Sequence, residues 1–147
     1  MREIGKYHLT ASEIDFFNLH TRFKTDGRII GNIGEDWFAK FSNGKRLEET
    51  APYDVLESDG TKSEVRSCIR EVSFGSSKEV GYGRKITIEG FQNKLNSLDR
   101  YIVIDSQNID EGYISFIEVT KEDLLTLKLG KNKKMKATKF FKIVYGN

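Results

Sequence analysis

Asp54, Glu64 and Arg66 lie within one short stretch, PYDVLESDGTKSEVR, and two acids with a cation on a hairpin can hold a divalent metal against a phosphate. Side chains alternate faces along a strand, so Glu64 and Arg66 project together while Val65 points the other way. The turn decides where Asp54 points. A two-residue turn at Asp59-Gly60 would set Asp54 opposite Val65 and separate the acids. A three-residue loop, Ser58-Asp59-Gly60 with Gly60 left-handed, pairs Glu57 with Thr61 and sets Asp54 opposite Glu64. Hydrophobicity favours the second register. It collects Tyr53, Val55, Val65 and Ile69 on a core face and Asp54, Lys62, Glu64, Arg66 and Arg70 on a polar one, with Leu56 and Cys68 as exceptions. Opposed carboxylates repel unless a cation lies between them. Mg²⁺, with Mn²⁺ as a substitute, suits such a pair because it takes one or two carboxylates together with substrate phosphate oxygens.

The elements that must position these residues are readable on either side. Thr10 and Glu13 form a capping box that predicts a helix to about Arg22, with Ile14 and Phe17 on its apolar side. Ile29, Ile30, Ile33, Trp37, Phe38 and Phe41 recur at helical steps and predict a second helix over 28–42, stopped at Asn43-Gly44. Strands are expected over 51–57 and 61–72. The Gly- and Ser-rich stretch from Ser73 to Arg84 has no period and predicts a loop. Ile88, Phe91, Leu95 and Leu98 predict a further helix, the alternations at 101–104 and 113–117 two more strands, and the capping box opening at Thr120 a short helix to about Leu127. Phe140 to Tyr145 has the composition of an edge strand.

One domain accommodates all of this. A chain of 147 residues and 16.9 kDa would leave neither half stable if divided, and 37% hydrophobic with 31% charged residues is a globular composition. No apolar run is long enough to span a bilayer and the N-terminus has no signal-peptide stretch, so no membrane partner is expected and the location expected is cytoplasmic. Cys68 is alone, and His8 and His20 lie outside the motif, so neither a disulfide nor a zinc site is expected and a metal would rest on oxygen. The net charge of +2 is small, but a basic C-terminal segment, 128–147, concentrates lysines.

The segments GEDWFAK and APYDVLESDGTKSEVRSC resemble the PD-(D/E)XK nucleases, the restriction-endonuclease-like superfamily. In that pattern an acid on one core strand precedes acid, any residue, lysine on the next, often after a helix that carries a glutamate. Pro52 and Asp54 with Tyr53 inserted match its first half, Glu64-Val65-Arg66 its second, and Glu35 the helical acid. The resemblance spans about 28–119 and implies an α/β fold with a restriction-endonuclease-like core, a mixed central sheet flanked by helices on both faces. It implies a Mg²⁺-dependent DNA endonuclease in which Asp54, Glu64 and the Val65 carbonyl ligate the ion, and Glu35 holds a second metal or a water on it. A solvated helix face is the ordinary alternative for Glu35. Arg66 replaces the usual lysine; it can hold a phosphate or orient a water but cannot act as a base. Three options follow: Arg66 is a tolerated variant, a cation from elsewhere takes the lysine's role, Lys62 sharing the face, or the domain binds nucleic acid or assembles without cutting. Lys62, Arg70, Lys78, Arg84 and Lys85 are the cations expected along a DNA backbone, and cutting both strands would need a homodimer or a partner subunit.

Overall fold

Tyr101 to Ile104 are all buried, and they alternate between two hydrophobic clusters, so the strand that carries them is covered on both faces. In the computed structural model, which describes residues 1–22, 27–75 and 88–146, this strand (β6, Arg100–Asp105) lies inside a six-stranded mixed sheet. The others are β1 (Arg2–His8), β2 (Lys45–Arg46), β3 (Val55–Leu56), β4 (Lys62–Cys68) and β7 (Tyr113–Thr120), in the order β1-β7-β6-β4-β3-β2. Only β4 and β6 are parallel; the remaining neighbours run antiparallel. Helices α1 (Ala11–Arg22) and α2 (Gly27–Ser42) cover one face through Phe17, Ile30, Trp37 and Phe38. On the other face lie α3 (Ile88–Asn96), α4 (Lys121–Thr126) and α5 (Ala137–Tyr145), with a two-stranded sheet of β5 (Glu71–Ser73) and β8 (Lys134–Lys136). The chain is therefore an α/β fold with a mixed sheet between helices, as expected.

Local chemistry sets the helix ends. The Glu13 amide donates to Thr10 Oγ1 at 3.2 Å, and the Thr10 amide donates to Glu13 Oε1 at 2.9 Å. Glu13 Oε2 also accepts from Trp37 Nε1 at 2.8 Å, which fastens α1 to α2. The second box closes at Thr120 and Asp123. Helix α2 crosses β4 and β6 closely at Gly34, where an added Cβ would lie 2.5 Å from Ile104 Cδ1. That approach sets the next residue, Glu35, near the β4 edge.

Several expectations change. Phe140 to Tyr145 belongs to helix α5, because Ala137, Phe140, Phe141 and Val144 recur at helical steps and bury against the sheet, and tertiary packing overrides strand composition. The single strand over 61–72 breaks into β4 and β5, leaving Ile69 46% exposed instead of in the core. Tyr53 packs with the cluster beneath α3 and α5, not with Val55 and Val65. The face expected to be polar is covered: Glu64 and Cys68 are 3% and 2% exposed. Strand β1 had no alternating apolar signal, since it lies at the sheet edge with no fully buried residue. Lys78, Arg84, Lys85 and most of the 73–84 stretch lie outside the described residues.

Candidate metal centre

The hairpin adopts the three-residue turn. Glu57 N–H donates to Thr61 O at 2.9 Å, Gly60 N–H to Glu57 O at 2.9 Å, and Gly60 has φ +91°, a conformation glycine takes without a Cβ penalty. Val55 pairs with Ser63 and Leu56 with Lys62, and one further step sets Asp54 opposite Glu64. Asp54 itself lies just before the short strand β3. Its backbone is held by Asp54 N–H to Ser63 O at 3.1 Å and Leu47 N–H to Asp54 O at 2.8 Å, while Val65 N–H donates to Asp54 Oδ2 at 2.9 Å. A residue in an antiparallel pair presents N–H and C=O to the same edge, so the Val65 carbonyl also faces Asp54.

Three carboxylates interact here: Asp54 stands between Glu64 on β4 and Glu35 on α2, with hydrogen-bonding contact to each. Burial raises the pKa of all three, and for Glu64 it outweighs Arg66 and pushes the carboxyl up to about 7, with Asp54 adding repulsion. Cations surround the group. Arg66 Nη2 donates to Glu64 Oε2 at 2.8 Å, the Lys94 ammonium of α3 pairs with that same oxygen, and Arg46 Nη2 lies 3.5 Å from Glu35. Arg46 is in turn fixed by Asn32 at 2.7 Å and Asp36 at 3.0 Å.

Lys94 is the residue the sequence reading passed over. Its ammonium also donates to Pro52 O at 3.1 Å, and Ser97 Oγ reaches the same carbonyl at 3.1 Å, so α3 anchors the loop that delivers Asp54. The signal was present. Lys94 lies three residues after Phe91 and four before Leu98, in the inner row of the helix, where a cation must find a buried partner. Gln92 is exposed and bonds along its helix to Asn96. Lys62 does not join the acids; its ammonium lies 5.8 Å from the Tyr53 ring centroid. Arg70 lies beyond the far end of β4, where its carbonyl accepts from Ala137 N–H.

The donor set fits a hard cation. Glu64 Oε2 is taken by two cations, whereas its other oxygen, Asp54 Oδ1 and the Val65 carbonyl remain oxygen donors of the type Mg²⁺ takes. Among the described residues no three Asp, Glu, His or Cys side chains close around a point as a ready-made cage, so water or phosphate oxygens would complete the coordination. Among those residues Arg66 Nε is a buried donor with no partner. A cleft of about 340 Å³ opens next to Lys94, with Pro52, Gly90 and Ser97 in its walls. Among the described residues no helix is long and apolar enough to cross a membrane. Comparison with protein-family models, with curated proteins and with solved structures finds no match for this chain.

Proposed function

We propose that this chain is a Mg²⁺-dependent DNA endonuclease, with α2, β3, β4, α3 and β6 forming a restriction-endonuclease-like core of the PD-(D/E)XK kind. The observation that carries this reading is the meeting of Asp54, Glu64 and Glu35 at one sheet edge, all held toward protonation by burial, with Lys94 and Arg66 on Glu64. The order helix, strand, strand, helix, strand supports it.

In this reading Asp54, Glu64 and the Val65 carbonyl hold the ion, and Glu35 stays hydrogen-bonded to Asp54 and steadies it. The ion, when bound, stabilises charge gathering on the phosphate and makes water a better nucleophile. Arg66, paired with Glu64 through Nη2, adds positive charge that would attract a phosphate oxygen. Lys94 takes the place of the motif's lysine: its Nζ pairs with Glu64 and donates to Pro52 O, which holds the loop that carries Asp54. A water oxygen bonds to phosphorus as one P–O ester bond breaks; the water gives up one proton to solvent and the leaving alkoxide takes one from solvent, so the protons balance. One chain supplies one site, so a homodimer or partner subunit would cut both strands.

Supercoiled, linear and branched DNA incubated with Mg²⁺ or Mn²⁺ tests the assignment. Metal-dependent nicking is expected from the wild type and not from Asp54→Ala or Glu64→Ala. Equal nicking by all three rejects the metal site. DNA binding without cutting under either ion would instead favour a non-catalytic binding module, to which Arg66 in the lysine position points.

A further inference from the structure

No Asp or Glu occurs between Lys128 and Asn147, so this segment's lysines have no acidic neighbours in sequence. Lys136 is the N-cap residue of α5, and Lys139 and Lys142 follow at three-residue steps. Residues three apart on a helix share a row, each step advancing about 4.5 Å, so these ammoniums form one ridge. All three are exposed, while Phe140 and Phe141 bury the opposite side of the helix. Lys134, next to the ridge, has an ion pair with Glu71 at 3.4 Å; Glu71 is also the cross-strand partner of Lys136, though not within ion-pair distance, and among the described residues Lys139 and Lys142 have no ion pair.

A solvated charged face is the ordinary explanation for surface lysines, but it fits poorly here. Like charges along one helical row repel, and Lys139 in the first turn opposes the helix dipole while Lys142 in the last turn is favoured by it, so the repulsion is only partly offset. The loop that precedes the ridge approaches the helix that carries Lys94. Lys133, held at φ +54°, sets its ammonium 5.0 Å from the Phe91 ring, and Phe91 lies one turn before Lys94 on α3.

We infer that the Lys136, Lys139 and Lys142 ridge is a second DNA-binding surface, following the phosphate backbone away from the phosphate held at Asp54 and Glu64. This rests on the nuclease reading for its substrate. A row of ammoniums with no carboxylate partner and no base-reading side chain binds without regard to sequence, through release of counterions.

The test is binding to a short DNA duplex without divalent metal between about 50 and 200 mM salt. Wild type is compared with Lys142→Gln and with the triple variant Lys136→Gln, Lys139→Gln, Lys142→Gln. Each lost contact should reduce the slope of log affinity against log salt by about 0.9, so the triple variant should lose about 2.7. Thermal melting confirms its fold, and the single variant, expected to lose about 0.9, decides the matter should the triple unfold. An unchanged slope in folded variants overturns the ridge even if the wild type cuts DNA. A reduced slope in a protein that never cuts supports the ridge and removes only the nuclease reading. No DNA binding by the wild type, or variants that lose only binding to anionic phospholipid vesicles, also overturns it.

Discussion

Ser63 and Glu64 are neighbours on β4 that face opposite sides of the sheet, and each enters a cluster of charges. On the Ser63 side, Arg100 pairs with Glu57 at 2.5 Å and Glu118 at 2.6 Å, with Ser63 Oγ 3.4 Å away. Burial disfavours ionisation there, yet the hydrogen bonds prevail: the Glu118 pKa is lowered and that of Arg100 raised. On the Glu64 side cations are also present, but burial prevails and all three acids move toward the neutral form. The first cluster is satisfied within the protein. The second is held toward its neutral form, and a further cation would favour its charged form, which separates a structural network from a candidate metal centre.

The largest expected effects break the comparison at its two poles. Asp54→Ala or Glu64→Ala should reduce metal-dependent cleavage by on the order of 10²–10³-fold, measured as initial nicking rate. Arg100→Ala should leave the part-buried Glu57 without this cation and Glu118 with Arg2, and cost about 1–3 kcal/mol in denaturant unfolding, whatever the metal concentration. Next comes Lys94. Lys94→Ala should slow cleavage by about 10²-fold, and Lys94→Arg, which keeps a cation on Glu64, should recover part of the rate.

A smaller effect sharpens the comparison through pH. The folded Glu64 pKa is above its unfolded value, so the native state binds the proton more tightly than the unfolded chain does. Without metal, stability should therefore fall as pH rises from about 4.5 to about 7, by at most about 3 kcal/mol, and Mg²⁺ should restore it above pH 7. Urea unfolding across that window, with and without Mg²⁺, checks the sign. The Glu118 carboxyl, whose pKa is lowered, acts in the opposite direction: its stabilisation is present above its unfolded value and lost as pH falls through its folded one.

The register of the acids was legible because it depends on local quantities: turn length, the freedom of Gly60 and the two-residue period of a strand. The capping boxes at Thr10 and Thr120 were legible for the same reason. Lys94 was harder to see, since its importance comes from α3 crossing beside β4, more than twenty residues away in sequence. The C-terminal helix was misread because Phe, Ile, Val and Tyr favour strands in isolation, and only packing of Phe140 and Phe141 against the sheet selects the helix. Strand β1 carried little signal for a related reason: an edge strand half open to solvent does not need strict alternation.

Titration with Mn²⁺ followed by electron paramagnetic resonance, with a non-cleavable DNA duplex present, tests the metal centre most directly. Wild type should bind the ion, more tightly as pH rises through about 7 where Glu64 ionises, and Asp54→Ala should lose that binding while remaining folded. Equal Mn²⁺ binding by the two proteins, or none by the wild type at any pH where it is folded, would contradict a metal centre at Asp54 and Glu64.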